Sequence, residues 1–404
     1  MSQTAANSLP ASRTEPDTSR YAGLRILFLG ENWFGSSSRA CCYALRRLGC
    51  DVFDVDQQTI FPQLVRRPVR AAMRLLWPSL HREYNRAILE SAGIFKPDVV
   101  LATKGQFIEQ RTLRELKRRG AALYNYYPDT SFAYWGKRLR ESVAEYDCIF
   151  VTKPFQVEDL RKMNVTGEVV FVPHGYDPDL HQPWPLTSRD VTELRSDVLV
   201  VATHTTHKES VLDALLERMP ELDLKIWGGG WGERCRSRRV LDHATGIRLT
   251  GLPYAKAMLA SRINLAIMSG PWPGASQHDQ TTTRSYEIPA SGGFMLHERN
   301  QEIRGLFEED KEMACFESPD ELAMKVRYFL DRPLEREAIA RAGYLRCVPA
   351  HSYDRRMNEI LDWHLRFAGF DSDRPEVAEQ TSDTRPNPTA PRCQGTPRRI
   401  GNSE

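Results

Sequence analysis

Short β-branched or apolar runs alternate along the chain with longer amphipathic segments, a pattern that predicts stacked βαβ units around parallel sheets. In the first half the runs are LRILFLG (24–30), CDVFDVD (50–56), PDVVLAT (97–103), AALYNYY (121–127), CIFVT (148–152) and EVVFVP (168–173). Among the segments between them, RTLRELKRRG (111–120) sets Leu113 and Leu116 on one side and ends in Gly120 as a helix C-cap. A proline-rich stretch without periodicity, from Asp177 to about Leu186, reads as a linker. The pattern then restarts with DVLVVAT (197–203), LDLKIWG (222–228), GIRLTG (246–251), INLAIM (263–268) and GFMLHE (293–298). Ser318-Pro319-Asp320-Glu321 is a capping box with proline at the first helical position, opening a helix over ELAMKVRYFL, and further helical segments close the chain. The expected organisation is α/β, with two Rossmann-like domains at 23–176 and 196–345, a linker at 177–195 and a C-terminal helix at 346–370. The polar stretches 1–22 and 371–404 are expected to be disordered tails.

Composition adds exclusions. A length of 404 residues is too great for one core and suits two domains of roughly 150 residues each. A net charge of +2 gives no reason to expect nucleic acid as a partner. No run approaches the ~20 apolar residues of a membrane span, and the first residues lack the apolar stretch of a signal peptide, so a cytoplasmic protein is expected. The 8 cysteines include no C-x-x-C pair and read as reduced structural thiols. His204 and His207 form the one metal-like pattern, but the sequence shows no acidic ligand to match them, and no metal is expected.

The segment HDQTTTRSYEIPASGGFMLHE (278–298) carries the most chemistry. A helix beginning at the threonines would present free N–H groups, with the Thr282 and Thr283 hydroxyls and Arg284 adding donors and charge for a diphosphate. One turn on, Glu287 is placed to accept both hydroxyls of a ribose. The competing reading makes Asp279 an N-cap, and Arg284 with Glu287 an exposed i,i+3 pair.

The run from TTTRSYEIPASGGFMLHE through the helical end resembles the C-terminal domain of CgeB-like glycosyltransferases, a family named for spore maturation. The resemblance spans most of 25–367 and is strongest over 246–356. Such proteins are similar to the wider GT-B retaining transferases, whose donor site has two acidic residues with seven between them, as Asp279 and Glu287 have here. The resemblance implies a GT-B fold with C-terminal helices crossing back to the N-terminal domain, which would receive the acceptor. It further implies a nucleotide-sugar donor, Glu287 on its ribose and Asp279 near the sugar hydroxyls. Two departures stand out: aspartate where glutamate is usual at 279, and Ala266 where relatives more often have asparagine. VATHTTHKESVLDALL resembles the strand, loop and helix that supply the phosphate-binding cation, implying Lys208, with His204 in the same loop. Gly228-Gly229-Gly230 and Gly251-Leu252 would let a base approach the backbone, or are simple turns.

In the first half, Gly30, Gly35 and Ser36 lie on a strand–loop–helix turn that would reach phosphate or acceptor, or merely cap a helix. Asp129, with Tyr126, Tyr127, Tyr134 and Trp135 around it, suits sugar binding or general base work, or is itself a cap. His174 ends a strand before the linker and would face the cleft. The stretch 66–86 pairs basic residues with Leu75, Leu76, Trp77 and Leu80, as a solvated helix or as a peripheral contact with the inner membrane face. Together these point to glycosyl transfer from a nucleoside diphosphate sugar to the hydroxyl of a glycan, lipid-linked or protein acceptor in polysaccharide or glycoconjugate synthesis. Phosphate charge would be met by side chains, without metal or other cofactor. Retention follows by analogy from the acid pair, whereas Asp129 as base would mean inversion. A nucleotide-sugar epimerase and a non-catalytic nucleotide-sugar-binding module are the alternatives.

Overall fold

The computed structural model describes residues 18–61, 67–133, 136–163 and 165–367. The first domain is a six-stranded parallel sheet of β1 (Arg25–Gly30), β2 (Asp51–Asp56), β3 (Val99–Thr103), β4 (Ala122–Tyr127), β5 (Cys148–Val151) and β6 (Glu168–Phe171), in the order β2-β1-β3-β4-β5-β6. The second has β7 (Val198–Val201), β8 (Leu224–Trp227), β9 (Ile263–Ala266), β10 (Met295–Glu298) and β11 (Ala314–Phe316), in the order β11-β10-β9-β7-β8. The central strands β3 and β9 are buried at every position, as strands covered by helices on both faces must be. Each sheet reverses its strand order once, between β1 and β3 and between β7 and β9. Ligands collect outside the strand carboxyl ends at such points.

Both sheets have an apolar layer on each face. One N-terminal layer is completed by the end of the chain: Tyr353, Met357, Ile360, Leu361 and Trp363 join Ile26, Leu45 and Phe150 in a single core. The helix Tyr353–Phe367 thus crosses back and packs on the helix Ser37–Arg47, where Arg47 pairs with Asp354 at 2.5 Å. Among the described residues no helix is long and apolar enough to cross a membrane.

Three expectations are corrected, and one strand was not anticipated. GIRLTG forms no strand; Gly228 N–H donates to the Ile247 carbonyl at 2.9 Å beside β8, and Gly251 turns to φ +63° to start the helix Gly251–Ala260. The three-residue strand β11 is too short to leave a periodic signal. The linker is helical over Ser188–Leu194: Thr187 and Asp190 form a capping box on that helix, and Lys256 pairs with Asp190 at 2.7 Å, fixing it to the second domain. Order also begins before residue 23, because Tyr21 is buried and donates to Asp362 at 2.6 Å. Residues 1–17 of the first expected tail, all of the second at 371–404 and the last three residues of the expected C-terminal helix, 368–370, lie outside the described residues. Of the 66–86 stretch, the helix Arg67–Phe95 is present, with Leu76 and Trp77 exposed and Leu80 packed against the core; the Arg66 and Leu75 side chains are outside the description.

Candidate active site

A cleft of about 1650 Å³ lies between the two domains, at the carboxyl ends of both sheets. Asp129, Asp279, His174, Glu287, Arg284, Lys208, Thr282, Thr283, His204, Gly35 and Ser36 all line it. Leu252 does not; it sits in the first turn of Gly251–Ala260, and its neighbour Gly251 packs against Phe34 of the first domain.

On the second-domain wall, Thr205 caps the helix Thr206–Arg218, which carries Lys208 into the cleft almost fully buried. Its ammonium reaches the Ser269 hydroxyl at 3.1 Å and the Thr203 carbonyl at 3.4 Å, both neutral oxygens. Burial, then the nearby Arg284, bring the lysine down to about 7, while Asp279 and Glu298 oppose the shift. Arg284 donates to the Ile267 carbonyl at 3.2 Å, and among the described residues neither its Nε nor the Thr282 hydroxyl finds a partner. The helix that holds Arg284 and Glu287 starts at Arg284, later than the threonine run predicts. Ser285 Oγ accepts from Thr282 N–H at 3.1 Å and keeps the threonines in a loop. Glu287 is buried, accepts from Tyr254 at 2.7 Å and has His181 Nε2 at 3.8 Å, which makes it no exposed surface pair.

Where the domains meet, Asp279 is neither an N-cap nor free. Its Oδ1 accepts from Thr130 of the first domain at 2.5 Å and lies 3.8 Å from Lys153 Nζ. Lys153 is fully enclosed and also reaches His174 Nε2 at 2.7 Å. Burial, then Lys153 and Arg356, push His174 well below the ordinary histidine range, so its neutral ring accepts from the lysine. Asp129 is partly exposed and pairs with Lys104 at 2.7 Å. Of the aromatics expected beside it, Tyr126 and Tyr127 are core residues, and Tyr134 and Trp135 are outside the described residues. Ser36 is committed to the cap of Ser37–Arg47, accepting from Arg39 N–H at 3.0 Å.

The expectation that His204 lacks an acidic neighbour fails: His204 Nε2 meets Glu209 at 2.7 Å, and with Cys235 these form a trio whose ligand atoms lie within 4.8 Å. Glu209 also accepts from the Arg236 and Ser237 N–H groups, each at 2.7 Å, so protons already hold the carboxylate.

Sequence reading missed Lys104 and Lys153, although each directly follows a predicted strand, where an α/β sheet gathers its ligands. It also missed Tyr254 and His181. Their approach to Glu287 is tertiary and leaves no local trace.

Two facing Rossmann-like domains, with the last helix returned to the first, make this a GT-B-fold protein. A family model described as glycosyl transferase-like matches residues 205–362. Among solved structures the chain is similar to sucrose-phosphate synthase from Thermosynechococcus elongatus, at 13% identity and TM-score 0.61, over 86% of this chain and 100% of the other. Anabaena Alr3699/HepE in complex with UDP and glucose has 12% identity and TM-score 0.51, over 84% and 99%. A putative UDP-N-acetylglucosamine 2-epimerase from Listeria monocytogenes has 13% and 0.52, over 87% and 98%. No curated protein matches the sequence.

Proposed function

We propose that this chain is a metal-independent glycosyltransferase of the CgeB-like type, using a nucleoside diphosphate sugar. The observation that carries the reading is the pair Lys208 and Arg284, which face the cleft and, among the described residues, hydrogen-bond only to neutral oxygens. A desolvated cation is costly until an anion completes it, and a diphosphate supplies two negative groups for two such cations. Glu287 on the same wall is the ribose acceptor, and Asp279 at the domain junction lies between the donor cations and Lys153. In the reaction the anomeric carbon leaves the β-phosphate oxygen and bonds to an acceptor hydroxyl oxygen. The hydroxyl proton departs with the nucleoside diphosphate, and Lys208 and Arg284 stabilise the charge that develops there. The acid pair supports retention of configuration. The UDP and glucose held by the Anabaena protein and the glycosyl transferase-like family match support the donor class.

The test is calorimetric titration with UDP, GDP, ADP and dTDP, followed by assays of their sugar conjugates with and without acceptors in chelator. The expected result is binding of one nucleoside diphosphate, weakened at least tenfold by Lys208→Met, and turnover that survives chelation. A sugar epimerised without acceptor would instead establish the epimerase, and tight binding without any turnover a binding module. Activity lost in chelator and restored by magnesium would overturn metal independence, and failure of all four nucleotides to bind would overturn the donor reading.

A further inference from the structure

On the second-domain wall, apart from Lys208 and Arg284, three metal-ligating side chains converge. His204 stands in the loop after β7, Glu209 on the helix Thr206–Arg218 and Cys235 just past the short helix Trp231–Arg234. Their ligand atoms all lie within 4.8 Å of one another, and all three side chains line the cleft. Of the cysteines among the described residues, Cys235 is the one not buried. The trio also has an outer shell. The N–H groups of Arg236 and Ser237 donate to Oε1 of Glu209, each at 2.7 Å, which leaves Oε2 turned toward His204 Nε2, also at 2.7 Å. The imidazole is set edge-on against Trp231, with ring centroids 5.0 Å apart. Outer-shell contacts of this kind orient the ligands of metal sites. Three exposed arginines share the wall, Arg234, Arg236 and Arg248, and Glu209, Asp213 and Glu233 offset them charge for charge.

We infer that His204, Glu209 and Cys235 form a binding site for a thiophilic divalent cation of the zinc class. A thiolate and an imidazole select such an ion, whereas magnesium and calcium want oxygen ligands and find a single carboxylate in the trio. Tetrahedral zinc sets its ligand atoms roughly 3.3–3.8 Å apart. To receive it, His204 Nε2 and Glu209 Oε2 part slightly from their hydrogen bond, the sulfur closes in, and water from the cleft takes the fourth position. The cation replaces protons: the thiol proton leaves to solvent, and the ring proton passes from Nε2 to Nδ1, freeing the lone pair that binds. The bound ion ties the loop after β7, the helix that carries Lys208 and the turn at 235–237 into one unit. It stands outside the transfer chemistry proposed above, in which Lys208 and Arg284 meet the diphosphate charge, and the assignment does not depend on that reading.

Cobalt(II), a spectroscopic substitute for zinc, tests this on the reduced full chain with no nucleotide present, so that a cation bridging diphosphate oxygens is not mistaken for it. One equivalent should bind and give a near-ultraviolet sulfur-to-cobalt charge-transfer band, which zinc should bleach by displacement and excess magnesium should not. Cys235→Ser should abolish the band, His204→Gln should weaken binding about tenfold or more, and Cys393→Ser should change neither. In the unmutated chain zinc should also protect Cys235 from alkylation by iodoacetamide, mapped by mass spectrometry, a readout that needs no variant to fold. No band in the unmutated chain, a band that survives in Cys235→Ser or is lost in Cys393→Ser, binding unmoved by His204→Gln, or equal alkylation with and without zinc would overturn the inference.

Discussion

At the scale of single residues, the consequential feature is a lysine held near its titration point. Between about pH 7 and the ordinary lysine value of 10.5, Lys208 is mostly neutral in the folded protein and charged in the unfolded chain. The unfolded state then binds more protons, so this group's contribution to stability rises with pH across that window and is a fixed penalty below it. A bound diphosphate reverses the balance by favouring the ammonium. Nucleoside diphosphate binding at pH 8 is therefore expected to take up a substantial fraction of one proton, read from calorimetry in buffers of different ionisation enthalpy. Lys208→Met should abolish the uptake; persistence in that variant would place the proton elsewhere. Glu287 gives a second expectation. Because it is buried and holds Tyr254, Glu287→Ala should cost both affinity and about 1–3 kcal/mol of stability, whereas Glu287→Gln should keep the fold and lose roughly tenfold in affinity. A 2′-deoxyribose nucleotide, already lacking one hydroxyl, should discriminate less between Glu287→Gln and the unmutated protein. Equal losses with both nucleotides would remove Glu287 from the ribose.

At the scale of elements, strands were legible wherever an uninterrupted apolar run met the face-on-both-sides burial of a parallel sheet. The runs at 24–30, 97–103 and 121–127 are cases in point. GIRLTG misled because an apolar-polar run beside glycines looks the same whether it joins the sheet or merely borders β8. The site was legible in the part that lies along one stretch of chain, Arg284 to Glu287, and at Lys208 where strand turns into helix. What joins Asp279 to Thr130, or Glu31 to Gln57, depends on how distant elements dock, and no local period encodes it. One such docking is testable. Gly251 begins its helix at φ +63°, and a Cβ there would come within 2.8 Å of the Phe34 ring. Gly251→Ala should destabilise by about 1 kcal/mol or more through the backbone alone. Phe34→Ala in the same chain should recover only the steric part. Full recovery in a double-mutant cycle of melting free energies would show that the conformation itself costs nothing.

At the scale of the whole molecule, the two domains are joined twice, by the linker and by the returning helix Tyr353–Phe367. Five side chains of that helix belong to the N-terminal core. At about 1.5–3 kcal/mol for each buried apolar side chain, together they rival the roughly 5–15 kcal/mol net stability of a typical domain. A chain ending at residue 351 should accordingly keep a cooperative second domain but bind a hydrophobic dye through the first. Native-like melting of both domains would refute that dependence.

The returning helix also imposes an order on synthesis. As the nascent chain leaves the ribosome, the first domain has its whole sheet by Phe171, yet the residues that seal its outer layer are still about two hundred codons from being read. The second domain, begun later, has every strand by Phe316 and its helix Pro333–Cys347 soon after. The half made first is finished last. Until then it presents an open apolar face to the cytosol of any host that expresses it, and a premature stop within the final helix would leave that face open for the life of the polypeptide.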